Sequence, residues 1–324
     1  SIVKPRDKNE VADFVHNPKA ELVGRSSGAA NRKVTVLETG PARGALQIEY
    51  NLDWGVFVQK ISVDAGARVI RFATDVRWDS TDKISDFNGR RVRVAFNSTY
   101  KNAKVFCDIP FGVIEWKQSE IIRPVTSWLG IESTANGAAF CHHGPQSIQV
   151  VNDTVYMTLF RSVVEPSREE AKCGWDNSSD EAAENGEHTF NYSVYIHPGD
   201  WKTANVPSAA AGENAPVFVR VPYGNKGMLA GEDSFVSVKP AALVVTAVKS
   251  TEYSKSGTIV RLYNPTNVPI SGTLATGFPH GGAEVVNFRE ELIGPLAGEG
   301  SEFALKVAPY EIMTVRILPG KKDV

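Results

Sequence analysis

Apolar and polar side chains alternate with a period of two along much of this 324-residue chain. In Arg68–Trp78, Ile70, Phe72, Val76 and Trp78 share one face, while Arg71, Asp75 and Arg77 share the other. In His188–His197, Phe190, Tyr192, Val194 and Ile196 point one way, and Thr189, Asn191, Ser193 and His197 the other. The same pattern predicts strands at Val34–Glu38, Ala45–Tyr50, Val56–Val63, Arg91–Phe96, Lys104–Ile109 and Val155–Phe160. No segment carries a helical stripe over three turns, and Glu10–Val15 offers little more than one. Strand after strand without intervening helices predicts antiparallel sheets packed face to face.

Residues Val206–Pro222 are rich in Ala and Pro, and Tyr223–Asp233 adds Gly224, Gly227 and Gly231, which marks a linker. A second set of strands follows at Phe235–Val238, Ala242–Lys249, Thr258–Tyr263, Ile270–Leu274, Glu284–Phe288, Glu302–Val307 and Ile312–Leu318. The expected organisation is a large β-sandwich over residues 1–232 and a small one over 233–324. One sharp break stands out in the first part, at Asp108-Ile109-Pro110-Phe111-Gly112-Val113-Ile114-Glu115. Pro110 donates no backbone hydrogen bond, and Gly112 is expected to take the backbone angles closed to other residues.

Composition narrows the function classes. A net charge of −2 without a basic run argues against nucleic acid, and no apolar stretch approaches the roughly 20 residues of a membrane span. The first residues hold no signal-peptide core and read as an internal boundary of a longer polypeptide, so the compartment stays open. Cys107, Cys141 and Cys173 are too few for a disulfide scaffold, and Cys107 is expected as a buried hydrophobe.

Candidate chemistry is sparse. Cys141-His142-His143 groups metal-ligand types, but neighbouring side chains on a strand diverge, so solvated loop residues are the expectation. The acidic stretch from Trp175 to Glu184 lacks EF-hand spacing, and nucleophile-elbow and phosphate-loop signatures are absent. His188 continues an apolar face and is expected in the core. His197, Asp200 and Trp201 follow a strand end, where site residues gather. Trp116, Trp128 and Trp201 are candidates for a ligand or interdomain surface. No catalytic or metal-ligating residue emerges.

The order of several short motifs resembles the C-terminal β region of α-mannosidases of glycoside hydrolase family 38. Thr35-Val36-Leu37-Glu38-Thr39-Gly40-Pro41 opens the match, followed by Asp75-Val76-Arg77-Trp78, Val94-Ala95-Phe96 and Ile109–Glu115. Leu159-Phe160-Arg161-Ser162 and Gly186-Glu187-His188-Thr189-Phe190 come next, then Tyr195-Ile196-His197-Pro198-Gly199-Asp200-Trp201. Val260-Arg261-Leu262-Tyr263-Asn264-Pro265 and Ala308-Pro309-Tyr310-Glu311-Ile312-Met313-Thr314 close it. The chain departs from the pattern at Trp128-Leu129-Gly130-Ile131 and at Cys141-His142-His143-Gly144.

The resemblance implies an all-β chain with a mutarotase-like supersandwich followed by a smaller C-terminal antiparallel β-sandwich. It implies a retaining mannosidase whose Asp nucleophile and zinc lie on a separate N-terminal catalytic α/β domain, with no cofactor in this segment. The expected partners are that domain and mannosides, with neither nucleic acid nor membrane, and a homo-oligomer is compatible. Arg161, His197, Asp200 and Trp201, and secondarily His142 and His143, are the residues expected to face substrate or the neighbouring domain. The alternatives are a free-standing carbohydrate-binding β-sandwich protein and an independent enzyme of mutarotase type.

Overall fold

The structure, a computed structural model, describes residues 2–5, 20–29, 31–52, 54–79, 90–100, 102–117, 122–144, 147–162, 183–215, 217–219, 233–252 and 256–320. Glu10–Val15, Cys173, Trp175 and most of the acidic stretch lie outside the described residues. Two compact units divide the chain: residues 1–107 with 115–200, and residues 108–114 with 201–324.

The first fifteen strands among the described residues, all in the first unit except for residues 108–114, begin with β1 (Ile2–Pro5), β2 (Ala20–Gly24), β3 (Arg32–Thr39), β4 (Arg43–Leu52), β5 (Gly55–Asp64), β6 (Val69–Trp78) and β7 (Arg90–Asn97). The series continues with β8 (Lys104–Ile109), β9 (Gly112–Glu115), β10 (Arg123–Pro124), β11 (Trp128–Glu132), β12 (Asn136–His143), β13 (Ser147–Val151), β14 (Thr154–Ser162) and β15 (Gly186–Pro198). Among the described residues they form a nine-stranded sheet, β3-β4-β5-β6-β15-β12-β11-β8-β9, and a six-stranded sheet, β10-β13-β14-β7-β1-β2. The described pairings are antiparallel, as hairpin-linked alternating strands require.

Aromatic side chains join the two sheets. Phe96 of β7 meets Phe72, Phe140 and Tyr192 of the large sheet at ring separations of 5.5, 5.1 and 6.1 Å. Trp78 meets Phe160 of β14 edge to face at 5.2 Å. Trp78, Leu129, Ile131, Ile148 and Met157 are fully buried in the same core. The inward parity of Phe72, Val76 and Trp78 read from the sequence is therefore the parity that faces the second sheet.

The second unit begins with a helix, α1 (Val206–Asn214), followed by β16 (Val236–Lys239), β17 (Val244–Ser250), β18 (Thr258–Tyr263), β19 (Ile270–Thr276) and β20 (His280–Val286). It ends with β21 (Leu292–Leu296), β22 (Gly298–Glu299), β23 (Glu302–Val307) and β24 (Ile312–Pro319). Sheets β16-β19-β23-β22 and β17-β18-β24-β20-β21 enclose a core of Leu243, Val260, Leu262, Leu274, Phe303, Leu305, Val315 and Ile317. The all-β sandwich architecture expected from the alternation is the one observed.

Three local expectations need correction. Residues 206–214, read as linker, are helical, with Pro207 in the first turn, where its missing N–H costs nothing. Val206, Pro207 and Ala210 are buried, and no broad apolar stripe announces the helix. Residues 128–132 and 136–143, not predicted as strands, are β11 and β12. All five residues of β11 are buried, so the alternation that reveals a half-solvated strand is missing. Finally, it is Phe111 and not Gly112 that adopts the left-handed backbone, with φ of 60°. With Pro110 before it, Phe111 occupies the turn position that favours glycine, and its ring packs edge to face on Tyr263 at 5.7 Å.

Candidate functional site

The six residues expected to face substrate or a neighbouring domain do not converge on one site. Arg161 lies exposed on β14, directly opposite Arg91 of β7. Burial, and then the charges of Arg161 and Arg93, pull the Arg91 guanidinium down to about 10. His142 and His143 are not the solvated loop pair expected. They end β12, where strand alternation leaves His143 exposed and His142 buried at 1% exposure. His142 lies across from Tyr192, and neither of its ring nitrogens has a hydrogen-bond partner among the described residues. Burial, and then His143, lower its pKa to about 4, so the ring is neutral near pH 7.

His197 lies on β15 with its side chain on the face opposite to that of Tyr192. It is 2% exposed, its Nδ1 stands 3.4 Å from the Pro198 carbonyl oxygen, and its Nε2 is buried without a partner among the described residues. Burial lowers its pKa, against the raising effects of the Pro198 and Gly199 backbone and of Asp200. The ring is wedged against Gly137, where an added Cβ would fall 2.6 Å from Cε1. With Arg68 and Asn136 it borders a shallow groove of about 450 Å³. Asp200 is exposed, whereas Trp201 is 5% exposed with the Lys202 amine 5.5 Å from its ring centroid. Trp116 and Trp128, expected at a ligand surface, are buried at 6% and 1%. His188, expected in the core, is only partly buried: it stacks on Phe160 at 5.1 Å and bonds the Glu184 carbonyl oxygen through Nε2 at 2.7 Å.

A larger concavity of the first unit lies elsewhere. A cleft of about 630 Å³ has its floor on the inner face of β4, β5, β6 and β15 and its wall on β7. Gln59 and Thr74 are neighbours across β5 and β6. From β15, Tyr192 reaches both: its Oη accepts from Gln59 Nε2 at 2.8 Å and lies 2.8 Å from Thr74 Oγ1. Burial dominates at Tyr192 and pushes its phenol up to about 12, against the lowering effect of the two hydrogen bonds. Tyr50 stacks in parallel on Phe57 at 5.5 Å, and burial raises its pKa too. At the wall, the Arg93 guanidinium lies 4.3 Å above the Tyr156 ring and donates to Gln149 Oε1 at 3.3 Å. Burial lowers Arg93 to about 10. None of the described residues lining the cleft is Asp or Glu.

The sequence placed Phe72 and Tyr192 on inward faces and Val94-Ala95-Phe96 in a motif, but assigned no cleft residue to a site. The available signal was a polar residue at an inward position on two adjacent strands: Gln59 between Phe57 and Ile61, and Thr74 between Phe72 and Val76. Among the described residues no group of three or more His, Cys, Asp or Glu side chains is arranged to hold a metal ion. No helix among them is long and apolar enough to cross a membrane.

The fold thus defines the class, an all-β protein of a large and a small sandwich. Comparison with known proteins gives the family. Residues 14–169 match the Glycosyl hydrolases family 38 C-terminal domain, and residues 242–315 match the Glycosyl hydrolases family 38 C-terminal beta sandwich domain. The chain belongs to the C-terminal region of glycosyl hydrolase family 38. Among curated relatives it is similar to human Alpha-mannosidase 2C1, at 21% identity over 272 residues, covering 80% of this chain and 24% of that protein. It is likewise similar to Alpha-mannosidase G of Dictyostelium discoideum, at 21% identity over 300 residues, covering 87% of this chain and 26% of that protein. Its fold matches a solved family 38 protein from Enterococcus faecalis with a TM-score of 0.71 at 19% identity, over 88% of this chain and 36% of that one. The chain spans about a quarter of the length of these curated relatives.

Proposed function

We propose that the chain works as the C-terminal β region of an α-mannosidase, packing on an α/β catalytic domain and forming part of the wall of its sugar site. The observation that carries this reading is the order of the two family matches, 14–169 and then 242–315, in a chain that spans a quarter of relatives named α-mannosidase. In the proposed enzyme the catalytic domain supplies the nucleophile and the zinc, and this chain supplies rigid sandwich surfaces. Arg161, His143 and Asp200 are exposed and reachable by that domain. His142, His197 and Trp201 are buried within the chain, so their part is to hold those surfaces in shape.

The test uses an aryl α-mannoside. The isolated chain is expected to leave it intact, and addition of an α/β segment encoded in the same reading frame is expected to produce hydrolysis. Charge reversal at Arg161 is then expected to weaken association of the two pieces without lowering the chain's own melting temperature, since it removes a repulsion with Arg91. Enzyme-like hydrolysis by the isolated chain, or failure of the combined pieces to associate, overturns the proposal.

A further inference from the structure

We infer that the cleft between the two sheets of the first unit is a non-catalytic binding site for a single neutral pyranose ring. Its volume of about 630 Å³ exceeds what one sugar ring fills and falls within the usual range of small-molecule sites. Its floor combines the two surfaces that a pyranose presents. Tyr50 and Phe72, both partly buried in the lining, add aromatic surface suited to the C–H side of a sugar. Gln59, Thr74 and Tyr192 offer hydrogen-bonding groups that lock one another in place at 2.8 Å, so little order has to be gained on binding.

Two polar atoms of the floor remain available. Gln59 commits its Nε2 to Tyr192, while its Oε1 accepts from no described residue. The Tyr50 hydroxyl likewise has no hydrogen-bond partner among the described residues, although its ring is stacked and half-buried. One acceptor and one donor-acceptor at fixed positions on adjacent strands suit vicinal hydroxyls. Glycoside cleavage needs two carboxyl groups roughly 5–9.5 Å apart. Among the described residues the lining contains none, so these residues would hold a sugar without cutting it.

This inference does not depend on docking to a catalytic domain, and it is tested on the 324-residue chain alone. Calorimetric titration with methyl α-mannopyranoside and methyl α-glucopyranoside is expected to give saturable binding to at least one of them, with a dissociation constant on the order of 1 mM. Tyr50→Phe removes a hydroxyl that no described residue uses. It is expected to leave the melting temperature unchanged and to weaken the sugar about five- to tenfold. Gln59→Leu is expected to weaken it by at least as much. Absence of saturable binding to either glycoside overturns the inference, and so does binding that neither substitution alters. Binding of inorganic phosphate in the cleft with no response to the neutral glycosides also overturns it, since the site would then be an anion site at Arg93. If the chain binds sugar but never associates with a catalytic segment, the docking proposal fails while this one stands.

Discussion

At the scale of the residue, His142 shows what a buried partnerless side chain does to pH dependence. Its folded pKa of about 4 lies below the ordinary 6.5, so the unfolded chain takes up a proton more readily than the folded one. The sign follows from that difference. The folded state keeps its full stability from this group above pH 6.5 and loses it as pH falls toward 4, by about 3 kcal/mol in all. His197, also lowered by burial, adds in the same direction. Replacing His142 with Phe removes two buried nitrogens that have no partner, and is expected to raise stability at pH 7 by about 1–2 kcal/mol. Urea midpoints measured at pH 7 and pH 4.5 check both statements, because the gain from the substitution should be larger at the lower pH. A midpoint difference independent of pH would show that the ring titrates alike in the folded and unfolded states, as a solvated ring does. Gly137 makes the complementary case for space. A methyl group there meets the His197 ring at 2.6 and 2.8 Å and Glu132 Cγ at 3.0 Å. His197 is buried and cannot swing away freely, so Gly137→Ala is expected to destabilise by about 1–3 kcal/mol, read as a lower denaturant midpoint.

At the scale of the element, the β8–β9 hairpin tests the balance between backbone strain and ring packing. Phe111 holds φ of 60°, a region that costs a side-chain-bearing residue about 1–2 kcal/mol. Its contact with Tyr263 offsets part of that cost. Phe111→Ala loses the contact and keeps the strain, whereas Phe111→Gly loses both. Glycine is therefore expected to be the milder substitution by about 1 kcal/mol, the reverse of the usual order in a strand, and thermal melts of the two variants decide it. The hairpin also shows where sequence reading stops. Pro110 and Gly112 marked a turn correctly, but no residue type signals that an aromatic will occupy the left-handed position, because a contact more than a hundred residues away compensates for it. Half-solvated strands such as β6 and β15 were legible to within two residues, since one wet face imposes alternation. Strands β11 and β12 were not, since both their faces are largely dry. The helix at 206–214 was hidden for a related reason: Ala and Pro bury it without an amphipathic stripe. The cleft was hidden because Gln59, Thr74 and Tyr192 acquire meaning only through cross-strand register, which a single strand's pattern does not contain.

At the scale of the whole molecule, the sequence conveyed an all-β chain in two parts, and the two parts are stabilised by different cores. In the second unit the buried cluster runs from Leu243 to Ile317, and every member lies after residue 242. Around it, Arg316 donates to Glu284 and to the Glu290 carbonyl oxygen, and Lys249 pairs with Glu290 at 3.0 Å, which satisfies charges that the sandwich buries. Residues 108–114 belong to the same unit and contribute the Phe111 contact on Tyr263, at the margin of the core. A fragment of residues 201–324 therefore keeps the whole of that buried cluster and loses what 108–114 brings to it, the Phe111 ring and the Asp108 charge beside Tyr263 among them. It is expected to unfold in urea as one cooperative transition with a slope of about 1–2 kcal/mol/M, as a domain of its size should. Its midpoint should lie below that of the same unit in the full chain, and Tyr263, now without the Phe111 ring, should be more accessible to a collisional quencher. If the fragment shows no cooperative transition, the 108–114 segment is part of the folding unit proper, and the small sandwich cannot be treated as an independent domain.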